Sequence, residues 1–317
     1  MEKFNQEHDS TQQLLKDIEA QAEKITESRI NPLDFKGHPF FKDEEIEDDL
    51  RRCQEKEIKI ADQRLQLTPE QLLEIERGVS AEYTFRQALE NHGWLADKVT
   101  TIVASQFDDY FKGIDSIAQI DLGPGRYEHI GFALDFSTSI EDLGNKLRHT
   151  FDAIDKGYSP SVKYFDSEKT GKLKNFRVPR IVIGGSKEVF HRLAEYTENK
   201  EAVPSSGNKT QYTIEEDPFK HIVFGEIIAQ LSTFCNRLEK VIKQAQVQRL
   251  GDVEKRATES LAMHMNSLKI IQELAKERGS TMDVISKSIR ADQFAVKMGT
   301  ALSALSLTPI ELKKDAR

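Results

Sequence analysis

Residues 113–137 read GIDSIAQIDLGPGRYEHIGFALDFS, two β-type runs separated by the turn Gly123-Pro124-Gly125. In the second run alternate residues differ in character, which predicts a strand with two unlike faces. One face is apolar and carries Ile130, Phe132, Leu134 and Phe136. The other is narrow, with small residues that leave room beside an acid, and carries His129, Gly131, Ala133, Asp135 and Ser137.

The elements on either side of this hairpin predict an α/β (α+β) core. Helical patterns cover residues 80–92 and 140–156. Further β-type runs are predicted at residues 99–105, 162–165 and 180–184. The order is therefore α-β-β-β-α-β with a β-α extension, in which residues 162–165 form the fourth strand. A meander followed by a helical crossover implies a mixed sheet with a right-handed connection.

Helical segments are predicted on both sides of this core. Residues 1–77 form an N-terminal helical region, whose last helix begins at the capping sequence after Thr68 and ends near Gly78. Residues 78–200 form the core, and the polar residues 201–218 form a linker. Residues 219–317 repeat apolar positions at steps of three and four, which predicts a helical hairpin or short coiled coil and allows a homodimer through these helices.

Composition limits the class of protein. The 317-residue chain has a net charge of −8, so contact with nucleic acid requires a local basic patch. No apolar run is long enough to span a bilayer, and the polar, acidic N-terminus lacks the apolar stretch of a signal peptide. The two cysteines, Cys53 and Cys235, have no metal-binding spacing. We expect a reduced cytoplasmic protein that makes no contact with membranes.

Three acidic residues stand out by their placement. Glu82 lies on the apolar face of its helix, Asp115 opens the second strand, and Asp135 lies near the end of the third. Carboxylates from adjacent strands and a packed helix suit a hard divalent cation such as Mg²⁺, which would activate water against a phosphodiester. Each acid also has a simpler interpretation, as a helix-start residue, a loop cap or a strand end.

These residues resemble the motifs of the PD-(D/E)xK nuclease superfamily, which has a restriction-endonuclease-like core. The helix that carries Glu82 is similar to the first conserved helix of that superfamily. Gly113-Ile114-Asp115 resembles its PD element, with isoleucine where proline is common, and residues 133–137 (ALDFS) resemble the (D/E)xK element. The resemblance covers about a third of the chain. It implies Mg²⁺ or Mn²⁺ held by Asp115 and Asp135 with support from Glu82.

The lysine of the third motif is replaced by Ser137. In the family this lysine positions water and stabilises developing negative charge, and some members carry it on a neighbouring element. Two residues could replace it here: Lys146 on the following helix and Lys163 on the predicted fourth strand. Lys163 is slightly favoured, because alternation could give it the same face as Asp135.

A basic segment follows, with six basic and two acidic residues between positions 163 and 180. It is expected either to be a solvated loop around Gly171 or to bind nucleic acid, which we expect to be DNA. Besides Lys163, the basic residues are Lys169, Lys172, Lys174, Arg177 and Arg180. Three hypotheses result: a metal-dependent nuclease, an inactive nuclease-like scaffold that binds nucleic acid or protein, and a structural protein assembled through its helical tails.

Overall fold

The computed structural model describes residues 23–135, 140–186, 188–189, 192–193, 213–310 and 312, without the side chains of residues 74, 77, 133–135 and 140–142. This part of the chain is a mixed α+β fold, as predicted. It contains a four-stranded sheet, a separate two-stranded sheet, and helices packed around them. None of the helices described here is long and apolar enough to cross a membrane.

Two long helices precede the sheet. After a short 3₁₀ turn at Pro32–Phe35, α1 covers Asp43–Arg64 and α2 covers Pro69–Glu90. The predicted capping box at Thr68 is present, because Thr68 and Gln71 exchange side-chain and backbone hydrogen bonds. The predicted break near Gly78 is wrong. Glycine lowers helix propensity by only about 1 kcal/mol, and α2 continues through it and through the expected domain boundary at residues 77–78.

The main sheet contains four strands: β1 (Val99–Val103), β2 (Ser116–Asp121), β3 (Tyr127–Asp135) and β6 (Arg180–Gly184). They lie in the order β1-β2-β3-β6. The first three strands are antiparallel, whereas β3 pairs in parallel with β6, for example Phe132 with Ile181. The short helix α3 (Gln106–Lys112) lies between β1 and β2 in the chain, and the helix α4 (Ile140–Asp155) follows β3.

In the described part of the chain the predicted fourth strand is separate from this sheet. Residues Ser161–Phe165 form β4, which pairs with β5 (Leu173–Arg177) in an antiparallel hairpin. The segment around Gly171 is therefore the turn of a β-hairpin. The sequence predicted β6 as an extension beyond the αβββαβ order. Instead, this fully buried strand is the parallel partner of β3. A strand covered on both faces is nearly all apolar, as β6 is after Arg180, whereas the first residues of β4 alternate between half-buried and buried.

The two predicted faces of β3 are confirmed where side chains are described. Ile130 and Phe132 are fully buried in the main core with α2 and the C-terminal helices. His129 packs on the opposite side against Phe165 and Phe176 of the β4–β5 hairpin. The room expected beside the small residues is partly filled, because a Cβ at Gly131 would lie 2.9 Å from Val178.

The C-terminal region packs on the sheet. Its first two helices, α5 (Phe219–Gln248) and α6 (Gly251–Glu277), form the predicted helical hairpin, and α7 (Met282–Ala291) and α8 (Gln293–Ser306) follow. Most apolar side chains of α5 are buried in the main core, so they already have partners within the chain, whereas Val247 near its end is exposed. Residues 201–212 of the predicted linker lie outside the described residues.

Helix α5 also covers the open edge of the sheet at β6. The side chain of Gln230 accepts a hydrogen bond from the Val182 N–H and donates one to the Val182 carbonyl. The Glu226 carboxylate accepts a hydrogen bond from the Gly184 N–H. These contacts satisfy backbone groups that an exposed edge strand would offer to another chain.

A substitution of Gly184 would test the packing of α8 on the sheet. A Cβ at this position would lie 1.8 Å from the Phe294 ring, so Gly184→Ala should lower the free energy of unfolding by about 1–3 kcal/mol. Urea unfolding would measure the change. The control is Gly144→Ala in α4, where nothing lies within 4 Å and stability should rise by up to about 1 kcal/mol. Equal stability of Gly184→Ala and the wild type would contradict this packing.

Candidate active site

Glu82 lies on α2 beside a compensating charge. Its neighbours Phe85 and Leu89 are fully buried, as expected for the apolar face of this helix. The carboxylate pairs with the guanidinium of Arg86, one turn further along the helix, whose side chain is almost entirely buried. Burial raises the pKa of Glu82, Arg86 opposes that rise, and Asp115 adds to it. Glu82 and Asp115 are therefore close enough to repel each other.

Asp115 is held by its backbone between two strands. Its N–H donates to the Phe132 carbonyl at 2.9 Å, and its carbonyl accepts from the Ala104 N–H at 3.1 Å. The preceding Gly113 ends α3 in the left-handed conformation, with φ of 60°. This local geometry places the predicted Gly113-Ile114-Asp115 motif where a helix end meets the first residues of a strand.

Asp109, which the sequence analysis did not select, joins this group. Burial and the Asp115 carboxylate raise the pKa of Asp109 to about 7, although Arg29 opposes the shift through an ion pair of 2.8 Å. Its position in the first turn of α3 had only the ordinary interpretation of a helix-start acid. Arg29 is eighty residues away in sequence, so no local pattern could indicate this pair.

Three carboxylates and two arginines thus form one charge cluster, the Asp115 cluster. Its members are Glu82, Asp109, Asp115, Arg29 and Arg86. The carboxylates destabilise one another in a partly buried position, and the arginines offset only part of this repulsion. Added positive charge at this place would therefore be stabilised.

Asp135 ends β3, and its backbone pairs with Gly184. Its side chain lies outside the described residues, as does Ser137. The predicted meeting of Asp135 with Asp115 and Glu82 therefore remains a prediction. Among the residues that are described, no group of three or more His, Cys, Asp or Glu side chains is arranged to hold a metal ion.

A cleft of about 790 Å³ opens beside Asp115. It lies between α4, the α3–β2 connection and the β4–β5 hairpin. Lys146, one of the two candidate lysines, lines this cleft together with Asp109 and Asp115. Its other lining residues include His149, which is exposed, and Tyr158, Lys112, Asn175 and Arg177.

Arg180 fixes the floor of the cleft. Its Nε donates to the Gly113 carbonyl at 2.7 Å, and one terminal nitrogen donates to the Lys146 carbonyl and to the Thr150 hydroxyl. Burial lowers the pKa of Arg180 to about 10, and Asp115 opposes this effect. The interpretation of Arg180 as part of an exposed basic loop is wrong, because only 1% of the residue is exposed.

Lys163 belongs to a different charge cluster. Its Nζ lies 2.8 Å from Glu45 and 2.5 Å from Asp49, both on α1. The argument that favoured Lys163 assumed that its strand joined the main sheet, and this assumption is wrong. Of the two candidate lysines, Lys146 is therefore the one that lines the same cleft as Asp115.

The remaining basic residues of the hairpin do not form one patch. Lys174 pairs with Glu45, and Lys172 donates to the Asp34 carbonyl. Lys169 is exposed near the hairpin turn. Arg177 is exposed at the cleft, with Glu259 3.6 Å away. Of this set, Arg177 is the exposed residue at the cleft, and contact of the others with nucleic acid remains a prediction.

Comparisons with known proteins identify no relative. No protein-family model, no curated protein and no solved structure matches this chain. Any functional inference therefore depends on the arrangement of its own residues.

The pKa of Asp109 predicts a pH-dependent stability. Because folding raises this pKa from 3.8 to about 7, the folded protein binds more protons than the unfolded chain between about pH 4 and 7. The free energy of unfolding should fall as pH rises through this window. Relative to the wild type, Asp109→Asn should gain more than about 1 kcal/mol between pH 4 and 8, measured by urea unfolding.

The exposed acid Asp152 on α4 provides the matched control. Asp152→Asn removes one negative charge outside the cluster. A stability difference for Asp109→Asn that stays constant with pH, or follows that of Asp152→Asn, would contradict the described repulsion.

Proposed function

We propose that this chain is a metal-dependent nucleic-acid phosphodiesterase similar to the PD-(D/E)xK nucleases. The proposal is carried by the electrostatic interaction between Glu82 of α2 and Asp115 before β2. These residues match the helix and the PD element of the resemblance. Along the chain the order is α2-β1-α3-β2-β3-α4-β4-β5-β6. We assign α2, β1, β2, β3, α4 and β6, which is parallel to β3, to the αβββαβ series that the resemblance implies, with α3 and the β4–β5 hairpin as additions.

The donors suit Mg²⁺ or Mn²⁺. The Asp115 cluster offers carboxylate oxygens, which are the ligands that hard cations prefer, in a place where their mutual repulsion favours added positive charge. Asp115 and Asp135 would hold the cation, with Glu82 in support. When bound, such a cation would polarise the phosphodiester and lower the pKa of a water molecule.

Lys146 supplies the positive charge that Ser137 cannot. It lines the cleft beside Asp115 and lies on α4, whose backbone Arg180 holds at the Lys146 carbonyl. A lysine held there would stabilise negative charge that develops on a phosphate. In this proposal Lys146, and not Lys163, performs the role of the family's motif lysine.

Two ion pairs favour the alternative, an inactive scaffold that binds nucleic acid or protein. Arg86 engages the Glu82 carboxylate, and Arg29 engages that of Asp109. Arginines that occupy these two carboxylates would take the place of a cation and give the cluster a structural role. Activity of the pure protein decides between the two functions.

We expect the purified protein to cleave DNA or RNA with Mg²⁺ or Mn²⁺ and to be inactive in EDTA. Asp115→Asn and Asp135→Ala should abolish cleavage, because each removes a cation ligand. Lys146→Met should lower kcat by about 100-fold or more, as for loss of a group that stabilises transition-state charge. Gel assays on labelled single and double strands provide the measurement.

The matched controls are Asp152→Asn on α4 and Lys156→Met just beyond its end, both at exposed positions, and they should retain activity. Cation binding is measured separately by thermal unfolding. Mn²⁺ should raise the Tm of the wild type but not that of Asp115→Asn. Full activity of Asp135→Ala would eliminate the nuclease proposal, and absence of cleavage by folded wild type would favour the scaffold.

A further inference from the structure

The cleft beside Asp115 differs in charge from the protein as a whole. The chain carries a net charge of −8, yet Lys112, Lys146 and Arg177 line this cleft. Arg180 lies beneath them, whereas Asp109 and Asp115 are the acidic residues of the lining. A concave site with excess positive charge focuses its field and concentrates anions. The cleft is therefore suited to an anionic chain that leads toward the two aspartates.

An aromatic ring is part of the same wall. Tyr158 lines the cleft, and the guanidinium carbons of Arg256 and Arg177 lie 4.4 and 5.7 Å from its ring centroid. Arg256, the nearer of the two, holds the ring in a fixed orientation, and a base that stacks on Tyr158 would displace the more distant Arg177 from the ring toward the phosphates. A fixed aromatic ring among basic side chains is the combination by which proteins bind single strands, since bases stack on the ring and cations follow the phosphates.

Size further restricts the ligand. A volume of about 790 Å³ is within the range of sites that enclose a small molecule, about 300–1,000 Å³. A cleft of this volume encloses one or two nucleotides and not the full width of a double helix. Bases within a duplex are also stacked on each other, and they would have to leave the helix to reach Tyr158.

We propose that this cleft binds single-stranded nucleic acid, with a base stacked on Tyr158 and phosphates contacting Lys146 and Arg177. The proposal rests on the proposed function for the identity of the ligand as a polynucleotide. It adds that an unpaired strand, DNA or RNA, is the form recognised.

Fluorescence anisotropy in EDTA tests this without turnover. The probes are a labelled 12-nucleotide DNA, an RNA of the same sequence, and the corresponding duplexes. At least one single strand should bind about tenfold or more tightly than its duplex. Tyr158→Ala should weaken that binding by about tenfold, whereas Tyr158→Phe should retain it, because stacking needs the ring and not the hydroxyl.

The salt dependence of the binding affinity tests whether basic side chains of the cleft contact phosphates. Arg177→Gln should weaken binding and reduce the slope of log affinity against log salt by about one, as expected for loss of one phosphate contact. The control Lys156→Gln removes an exposed lysine just beyond α4, and Phe40→Ala removes an exposed ring outside the cleft. Both should bind as the wild type does. Thermal unfolding verifies that each variant is folded.

Duplexes that bind as tightly as single strands would overturn the proposal. Unchanged single-strand affinity in folded Tyr158→Ala would also overturn it, and Arg177→Gln with an unchanged slope would do the same. If Tyr158→Ala does not fold, the wild-type comparison and Arg177→Gln decide. Binding without cleavage in Mg²⁺ or Mn²⁺ would contradict only the nuclease function, whereas cleavage of duplexes with equal affinity for both forms would contradict only this inference.

Discussion

The buried guanidinium of Arg180 joins the elements on which the candidate site depends. Arg180 is the first residue of β6. Its guanidinium donates to the Gly113 carbonyl, two residues before Asp115, and to the Lys146 carbonyl and the Thr150 hydroxyl of α4. A buried charge is costly unless hydrogen bonds satisfy it, and here those bonds come from two different segments. Glycine is needed at position 113 for two reasons. Its φ is positive, and a Cβ there would lie 2.8 Å from the Arg180 guanidinium. The relative position of Asp115 and α4 thus follows from one side chain.

The Asp115 cluster follows a different principle, in which ion pairs with arginines offset only part of the cost of burying neighbouring carboxylates. Burial raises the pKa of Glu82 and Asp109, and Asp115 raises both further, while Arg86 and Arg29 act in the opposite direction. Raised pKa values in neighbouring buried acids beside a cleft are a common feature of sites that bind ligands or perform chemistry. This grouping is the physical reason for preferring a functional interpretation of the cluster.

Local patterns predicted much of the fold, and non-local pairing accounts for the errors. The alternation around Phe132, the Thr68 capping box and the C-terminal helical hairpin are all properties of short segments, and the structure confirms them. The choice of β4 as the fourth strand failed because order along the chain does not determine which strands pair. At the site, proximity of Glu82 and Asp115 could be inferred from a helix packed beside a strand start. Asp109 and Arg29 could not, because their contact depends on how the segment before α1 returns to α3.

The missing motif lysine acquires a specific meaning in this geometry. Ser137 comes two residues after the end of β3 in the sequence, whereas Lys146 is on α4, and Arg180 holds that helix by the Lys146 carbonyl itself. Because the backbone of Lys146 is itself held by a hydrogen bond, its charge is as well positioned as a charge on a strand. The replacement of the motif lysine by Ser137 therefore does not by itself imply loss of activity. The more informative residue is Arg86, whose guanidinium engages Glu82. A cation and Arg86 would compete for the same carboxylate, and the outcome of that competition separates an enzyme from a scaffold with the same fold.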